Sequence, residues 1–146
     1  MKTVILMASV HKGNTKKVVE SIANVLNADI VNVVNGEKVD LSLYDNVIIA
    51  SGVYFSKMHK SMMPYLKALD LKGKNCYLLL TTGSKSDYPK KISDSLSKEL
   101  GIEIKSSFQC LGYDTYGPFK LIGGINKNRP NEADLNEAIS WAKTIL

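Results

Sequence analysis

The sequence predicts an α/β fold, a parallel sheet with helices packed on both faces. Two observations carry this expectation. Short apolar runs rich in branched residues alternate with amphipathic segments along the chain. The first run, Thr3 to Ala8, is apolar throughout, the pattern of a strand covered on both sides. Connections in such folds are right-handed crossovers.

Each element follows from its residues. After the first strand and a polar loop, Val18, Val19, Ile22, Ala23, Val25 and Leu26 form one stripe at helical spacing. Residues 30–34 make a second, more polar strand that Asn35-Gly36 ends. Asn46 to Ala50 is a third strand, with Val47, Ile48 and Ile49. Asp40 to Asp45 stands where a crossover helix would lie and is too short for one. Ser61 to Leu69 reads as a helix, with Pro64 tolerable in its first turn. Asn75 to Thr81 is the fourth strand. Ile92, Leu96 and Leu100 recur every four residues, in a helix opened by Pro89 and closed by Gly101. Ile102 to Leu111 is the fifth strand. Leu135, Ala138, Ile139, Ala142 and Ile145 mark the last helix, with Asn131 placed to cap it and Asp134 standing where a capping-box acid would. Gly112 to Pro130 is rich in Gly and aromatics and lacks periodicity, and loops of that length in a compact domain are functional or mobile.

Composition bounds the function. The 146 residues match one ordinary domain, expected to span 1–146. Apolar residues make up 45% and charged residues 23%, values of a globular chain rather than a disordered or membrane-embedded one. Nineteen Lys and Arg against fourteen Asp and Glu leave a formal charge of +5, and Arg129 is the one arginine. That argues against a dedicated nucleic-acid binder, in which arginine forks read bases and phosphates. No apolar run approaches the ~20 residues that span a bilayer. The opening Met1 to Ala8 is too short for an export signal, so a cytoplasmic location is expected, with Cys76 and Cys110 as free thiols. Neither cysteine has a neighbour at metal-ligand spacing, and no metal site is expected.

In an open parallel sheet, ligands bind beyond the carboxyl ends of the strands. Ser9-Val10-His11-Lys12-Gly13-Asn14-Thr15-Lys16 joins the first strand directly to the first helix. A helix start offers unpaired N–H groups and positive partial charge. Gly13 lets the backbone approach an anion closely, and Ser9, Asn14 and Thr15 add polar side chains able to bond phosphate oxygens, so the stretch reads either as a phosphate cradle or as a plain capped turn. No G-x-G-x-x-G, G-x-x-x-x-G-K-[ST] or G-x-S-x-G is present. Neither cysteine carries the nearby arginine of a low-molecular-weight phosphatase, and Ser51-Gly52 ends the third strand where a phospho-receiver needs Asp.

This loop resembles that of the flavodoxin family. The Gly13-Asn14-Thr15 ending matches the common T-x-T-G-N-T form, while Val10 and Lys12 replace its two earlier threonines. The whole is similar to the S-x-H-x-G-N-T variant of small flavodoxin-like proteins, in which Ser9 and His11 would take over the oxygen contacts. The resemblance continues through Gly52-Val53-Tyr54-Phe55-Ser56-Lys57-Met58-His59 and through Thr81-Thr82-Gly83-Ser84. It implies a flavodoxin-like three-layer sandwich with a five-stranded parallel sheet of order 2-1-3-4-5. It also implies non-covalent FMN binding and electron transfer. The cofactor residues it implies are Ser9, His11, Lys12, Gly13, Asn14, Thr15, Ser51, Gly52, Val53, Tyr54, Phe55, Thr81, Thr82, Gly83, Ser84 and Tyr88.

Tyr54, Phe55 and Tyr88 are candidates to stack on the isoalloxazine, each contact contributing ~0.5–1.5 kcal/mol beyond burial. Core packing is the alternative for Tyr54 and Phe55, and a surface position for Tyr88. Tyr113-Asp114-Thr115-Tyr116 would flank the flavin, form a lid, or simply pack. No residue stands out as an acid, base or nucleophile, because the flavin itself carries the chemistry.

Two roles are open: a shuttle between reductase and acceptor proteins, and a small FMN-dependent oxidoreductase acting on a quinone or porphyrinogen. The second rests on Tyr44-Asp45-Asn46-Val47-Ile48-Ile49, then Tyr54 and His59-Lys60-Ser61, which resemble menaquinone-dependent protoporphyrinogen oxidases. The late membrane-associating segment of those proteins has no counterpart here. A flavin-free binding module on the same scaffold is a third possibility. The basic surface implies redox partners with acidic docking faces. It should also ease formation of the fully reduced flavin anion, modestly, since one charge at 10 Å in water contributes only ~0.4 kcal/mol.

Overall fold

The computed structural model describes residues 2–10, 13–112 and 128–146. Its elements run β1 (Thr3–Ala8), α1 (Asn14–Leu26), β2 (Asp29–Asn32), β3 (Asn46–Tyr54), β4 (Lys57–Met58), α2 (Met62–Lys67), β5 (Asn75–Thr82), α3 (Tyr88–Leu100), β6 (Ile104–Leu111) and α4 (Glu132–Lys143). A single 3₁₀ turn, Leu41–Leu43, fills the place of the missing crossover helix. Five strands pair in parallel in the order β2-β1-β3-β5-β6. That is the expected 2-1-3-4-5 arrangement with one addition: β4 turns back antiparallel onto the end of β3.

The alternation of side chains across the pleat divides the core in two. Val4, Leu6, Val47, Ile49, Leu78 and Leu80 face α2 and α3, meeting Met62, Leu66, Ile92 and Leu96. Ile5, Met7, Ile48, Ala50 and Leu79 face α1 and α4, meeting Val18, Val19, Ile22, Ala138 and Ala142. Both faces of the three central strands are therefore covered, which is why their sequences read as unbroken apolar runs.

Helix ends follow the local chemistry. Gly101 ends α3 in the left-handed conformation at φ +67°, and Asn27 does the same for α1 at φ +50°. Asn131 accepts the Asp134 N–H while the Asp134 carboxylate accepts the Asn131 N–H, the reciprocal capping box read from the sequence.

Some boundaries differ from expectation. The chain turns at Val33–Gly36, so β2 is Asp29–Asn32 rather than 30–34. The helix expected over Ser61–Leu69 is the shorter Met62–Lys67, and β6 starts at Ile104, not Ile102. The larger correction concerns the stretch after Ala50. Ser51, Gly52, Val53 and Tyr54 are strand, because Gly52 pairs with Thr81 of β5, and Val53 and Tyr54 pair with Met58 and Lys57 of β4. The two residues between, Phe55 and Ser56, have φ of +52° and +68°. Positive φ at both central positions matches a hairpin turn of the type normally written Asn-Gly, so Phe-Ser carries no hairpin signal.

Candidate functional site

Strands β1, β3 and β5 end side by side. Ala8 is level with Ser51, and Gly52 is level with Thr81. Order reverses here, since β1 leads by crossovers to β2 on one side and β3 lies on the other. The start of α1 stands over this junction. Gly13 is its N-cap at φ +66°, with open space where a side chain would project, so the N-cap residue itself brings no capping side chain. No acid lies in the first turn of α1, where Lys16 and Lys17 are exposed. The start of α4, by contrast, holds Glu132 and Asp134 and is closed by its own capping box. A helix start without acids favours an anion more than an acidic one closed by its own capping box does.

The predicted residues divide into those that meet here and those turned elsewhere. Ser9 accepts the Lys16 N–H at 3.1 Å, so its oxygen already caps the first turn rather than waiting for a ligand. Thr15 departs further from expectation. It is buried, and its hydroxyl meets that of Thr81 at 2.8 Å, so neither faces a phosphate. This pair ties α1 to β5 beneath the site. Burial in a dry layer makes each hydroxyl the other's partner. Thr15→Val should therefore cost about 1–3 kcal/mol by stranding the Thr81 hydroxyl, and Thr15→Val with Thr81→Val should recover most of it. Urea midpoints of the three variants would measure this, and an additive double variant would refute the pairing.

Thr82 is buried as well, donating to the Cys110 carbonyl at 3.5 Å, while Gly83 is half-buried and Ser84 exposed where the chain leaves β5. Ser51 is buried and works as a clamp: its hydroxyl donates to the Gly52 carbonyl at 2.7 Å and accepts the His59 N–H at 2.9 Å. Tyr54 is half-buried, with its hydroxyl over Gly52 and its ring edge-on to His59 at 5.6 Å. A Cβ on Gly52 would stand 2.9 Å from that hydroxyl, so glycine is what lets the tyrosine fold back there. Phe55 is 86% exposed at the hairpin tip, which excludes the core-packing alternative for it. Tyr88 opens α3 and packs against the α2/α3 core, neither a free surface residue nor a free plate. His11, Lys12 and Tyr113 to Tyr116 lie outside the described residues.

One contact escaped the sequence reading. Gly112, just beyond β6, lies against the Asn14 side chain so closely that a Cβ there would stand 2.6 Å from Nδ2. Its N–H donates to the Thr82 carbonyl at 2.9 Å, holding it in place. His59, named in the sequence only as part of the second loop, takes a positioning role. Its Nδ1 accepts the Ser61 N–H at 3.1 Å and lies 2.8 Å from the Ser61 hydroxyl, so the ring caps the chain entering α2. An Nδ1 that accepts carries no proton, so the ring is neutral with its hydrogen on Nε2.

Burial, and then the Lys60 charge, lower the pKa of His59 below 6.5. The unfolded chain then takes up the proton first. The stabilisation is complete above about pH 6.5, the unfolded value, and falls away as pH drops through the lower folded value. Denaturation midpoints between pH 7.5 and 5 should fall more steeply for the wild type than for His59→Gln. Parallel curves would show that the cap does not titrate.

Cys76 and Cys110 are buried free thiols, with pKa values raised to about 11 and about 12 chiefly by burial. Neither is a thiolate near neutral pH. Among the described residues no cluster of His, Cys, Asp and Glu could hold a metal ion, and no helix is long and apolar enough to cross a membrane.

Three parallel strand ends meeting a helix start, at the point where strand order reverses, define a doubly wound α/β domain. Residues 4–120 match the family model described as flavodoxin domain, and the chain belongs to that family. It is 43% identical over 149 residues to the uncharacterised protein MJ0298 of Methanocaldococcus jannaschii, covering 100% of this chain and 99% of that one. Among solved structures it resembles a flavodoxin from the domain Archaea, at TM-score 0.67 and 18% identity over 99% of both chains. It also resembles an NAD(P)H:quinone oxidoreductase from Methanothermobacter marburgensis, at TM-score 0.65 and 10% identity over 99% of this chain and 96% of that one. At these identities the two structures establish the fold.

Proposed function

We propose that this protein binds FMN without a covalent link and passes electrons between redox partner proteins. The observation that carries the reading is the start of α1, uncapped by its own N-cap side chain, free of acids, and set among the ends of β1, β3 and β5. The backbone amides at Gly13, Asn14 and Thr15 would hold the phosphate, with Asn14 kept in place by Gly112. Ser51 to Phe55 would border one side of the ring system, and Thr82, Gly83 and Ser84 the other. Tyr54, backed by His59, and the exposed Phe55 are aromatic surfaces at this end of β3. The flavin, when bound, supplies the one- and two-electron chemistry, and the protein supplies binding, orientation and electrostatics. The positive net charge favours partners with acidic docking faces.

Calorimetry with FMN and with riboflavin tests the reading. FMN should bind, turn the protein yellow and lose fluorescence, and riboflavin should bind at least a hundredfold more weakly because the anion seat stays empty. Equal affinities, or no uptake of either, would remove its basis. The FMN form mixed with NAD(P)H alone should stay oxidised if the protein is a shuttle. Rapid bleaching would instead support an autonomous oxidoreductase.

A further inference from the structure

A cavity lies away from the start of α1, with none of the α1 residues in its lining. It is a cleft of about 470 Å³ between β4, the start of α2 and α3. Its size falls within the range of small-molecule sites, roughly 300–1,000 Å³. The walls include Met58 and Met63, half-buried, and Ile92, almost fully buried. Such walls give an apolar body somewhere to lie, and methionine adapts to irregular shapes.

The charge is one-sided. Lys57, Lys60 and Lys91 border the cleft against a single acid, Glu99. Lys91 is engaged by Asp87 of its own helix at 3.4 Å, but Lys57 and Lys60 take part in no ion pair among those seen in the described residues. His59 belongs to the same wall and is neutral, so it adds no charge. A cavity with a methionine-lined patch and two uncommitted ammonium groups at its edge matches a ligand with a flat apolar body and one anionic group. Neutral apolar molecules would leave the lysines unused, and cations would be repelled.

We propose that this cleft is a binding site for a small amphipathic anion, its apolar body on Met58, Met63 and Ile92 and its carboxylate or other acid group at Lys57 and Lys60. The site is separate from the α1 anion seat and stands or falls independently of the flavin reading. It shares one wall with it, because His59 lines the cleft and meets the Tyr54 ring.

Heteronuclear NMR titration of the full chain with 2-naphthoate, and with the neutral 2-naphthalenemethanol, tests the site. Shifts should concentrate at Lys57 to Met63 and Lys91 to Glu99. One charge about 5 Å away in water changes affinity roughly three- to fourfold, so two lysines set against Glu99 should leave naphthoate about three- to fourfold tighter than the alcohol at low salt. The advantage should shrink in 0.5 M salt. Lys57→Ala with Lys60→Ala should remove it, and Glu99→Gln should tighten naphthoate about threefold. The substituted side chains are exposed, so folding is not at stake. Equal binding of acid and alcohol, shifts centred elsewhere, or no binding of either would overturn the proposal. Weaker binding in Glu99→Gln would show that the site wants a cation beside Glu99, and would overturn it too.

Discussion

Gly112→Ala is expected to weaken FMN binding at least tenfold while leaving the chain folded. The added methyl would stand 2.6 Å from Asn14 Nδ2, 2.7 Å from its Cγ and 2.9 Å from its Cβ, all inside van der Waals contact. Gly112 cannot easily back away, because its N–H is bonded to the Thr82 carbonyl and continues the pairing of β6 with β5. Asn14 must move instead, and Asn14 is the first residue of α1. The strain should cost about 1–3 kcal/mol of stability, the usual range for overpacking. The loss of affinity comes on top, from displacing the first turn that would hold the phosphate. Calorimetry with FMN and a urea midpoint separate the two. Asn14→Gly in the same chain removes the clashing side chain and should restore most of the stability. Undiminished affinity in Gly112→Ala would mean that the start of α1 is not where the phosphate sits.

Asp134→Ala should be the most destabilising single change among the polar residues, at about 2–4 kcal/mol. Asp134 is 3% exposed and its carboxylate accepts from the Nε and Nη2 groups of Arg129 and from the Asn131 N–H. Removing one partner of a buried pair costs about 3–5 kcal/mol. Here the Arg129 side chain is 31% exposed and regains part of its hydration, which lowers the figure. Loss of the capping box adds about 0.5–2 kcal/mol. Burial opposes ionisation of Asp134, but the hydrogen bonds from Arg129 and Asn131 and the Arg129 charge outweigh it and hold the pKa below 3.8. Its contribution is therefore complete above about pH 4, near the usual carboxylate value, and is lost as the pH falls through the folded value. Urea denaturation at pH 7 should show the full loss in Asp134→Ala, and the gap from wild type should narrow in strong acid. A shift below 1 kcal/mol at pH 7 would show that α4 docks without this pair.

Sequence and structure agree best where one local rule decides. Val4 to Ala8, Val47 to Ala50 and Leu78 to Leu80 are apolar at every position because helices cover both sides of those strands. Asn131 with Asp134, and Gly101, are end signals whose chemistry is complete within four residues. The start of α1 was legible for the same reason, since Gly13-Asn14 leads from a strand directly into a helix. The hairpin was not, because Phe55-Ser56 adopts a turn that neither residue favours, held by pairing on both sides.

The sequence by itself determined the alternation of the five parallel strands with their helices and the faces they bury. Those depend on spacing along the chain, which the chain carries with it. Only the tertiary structure decided that Thr15 is spent on Thr81, that Gly112 seats Asn14, and that His59 stands between Tyr54 and a lysine-edged cleft. Such pairings join residues up to 98 positions apart, from Asn14 to Gly112. Their distances are set by how the sheet stacks its strands, and no local pattern encodes them.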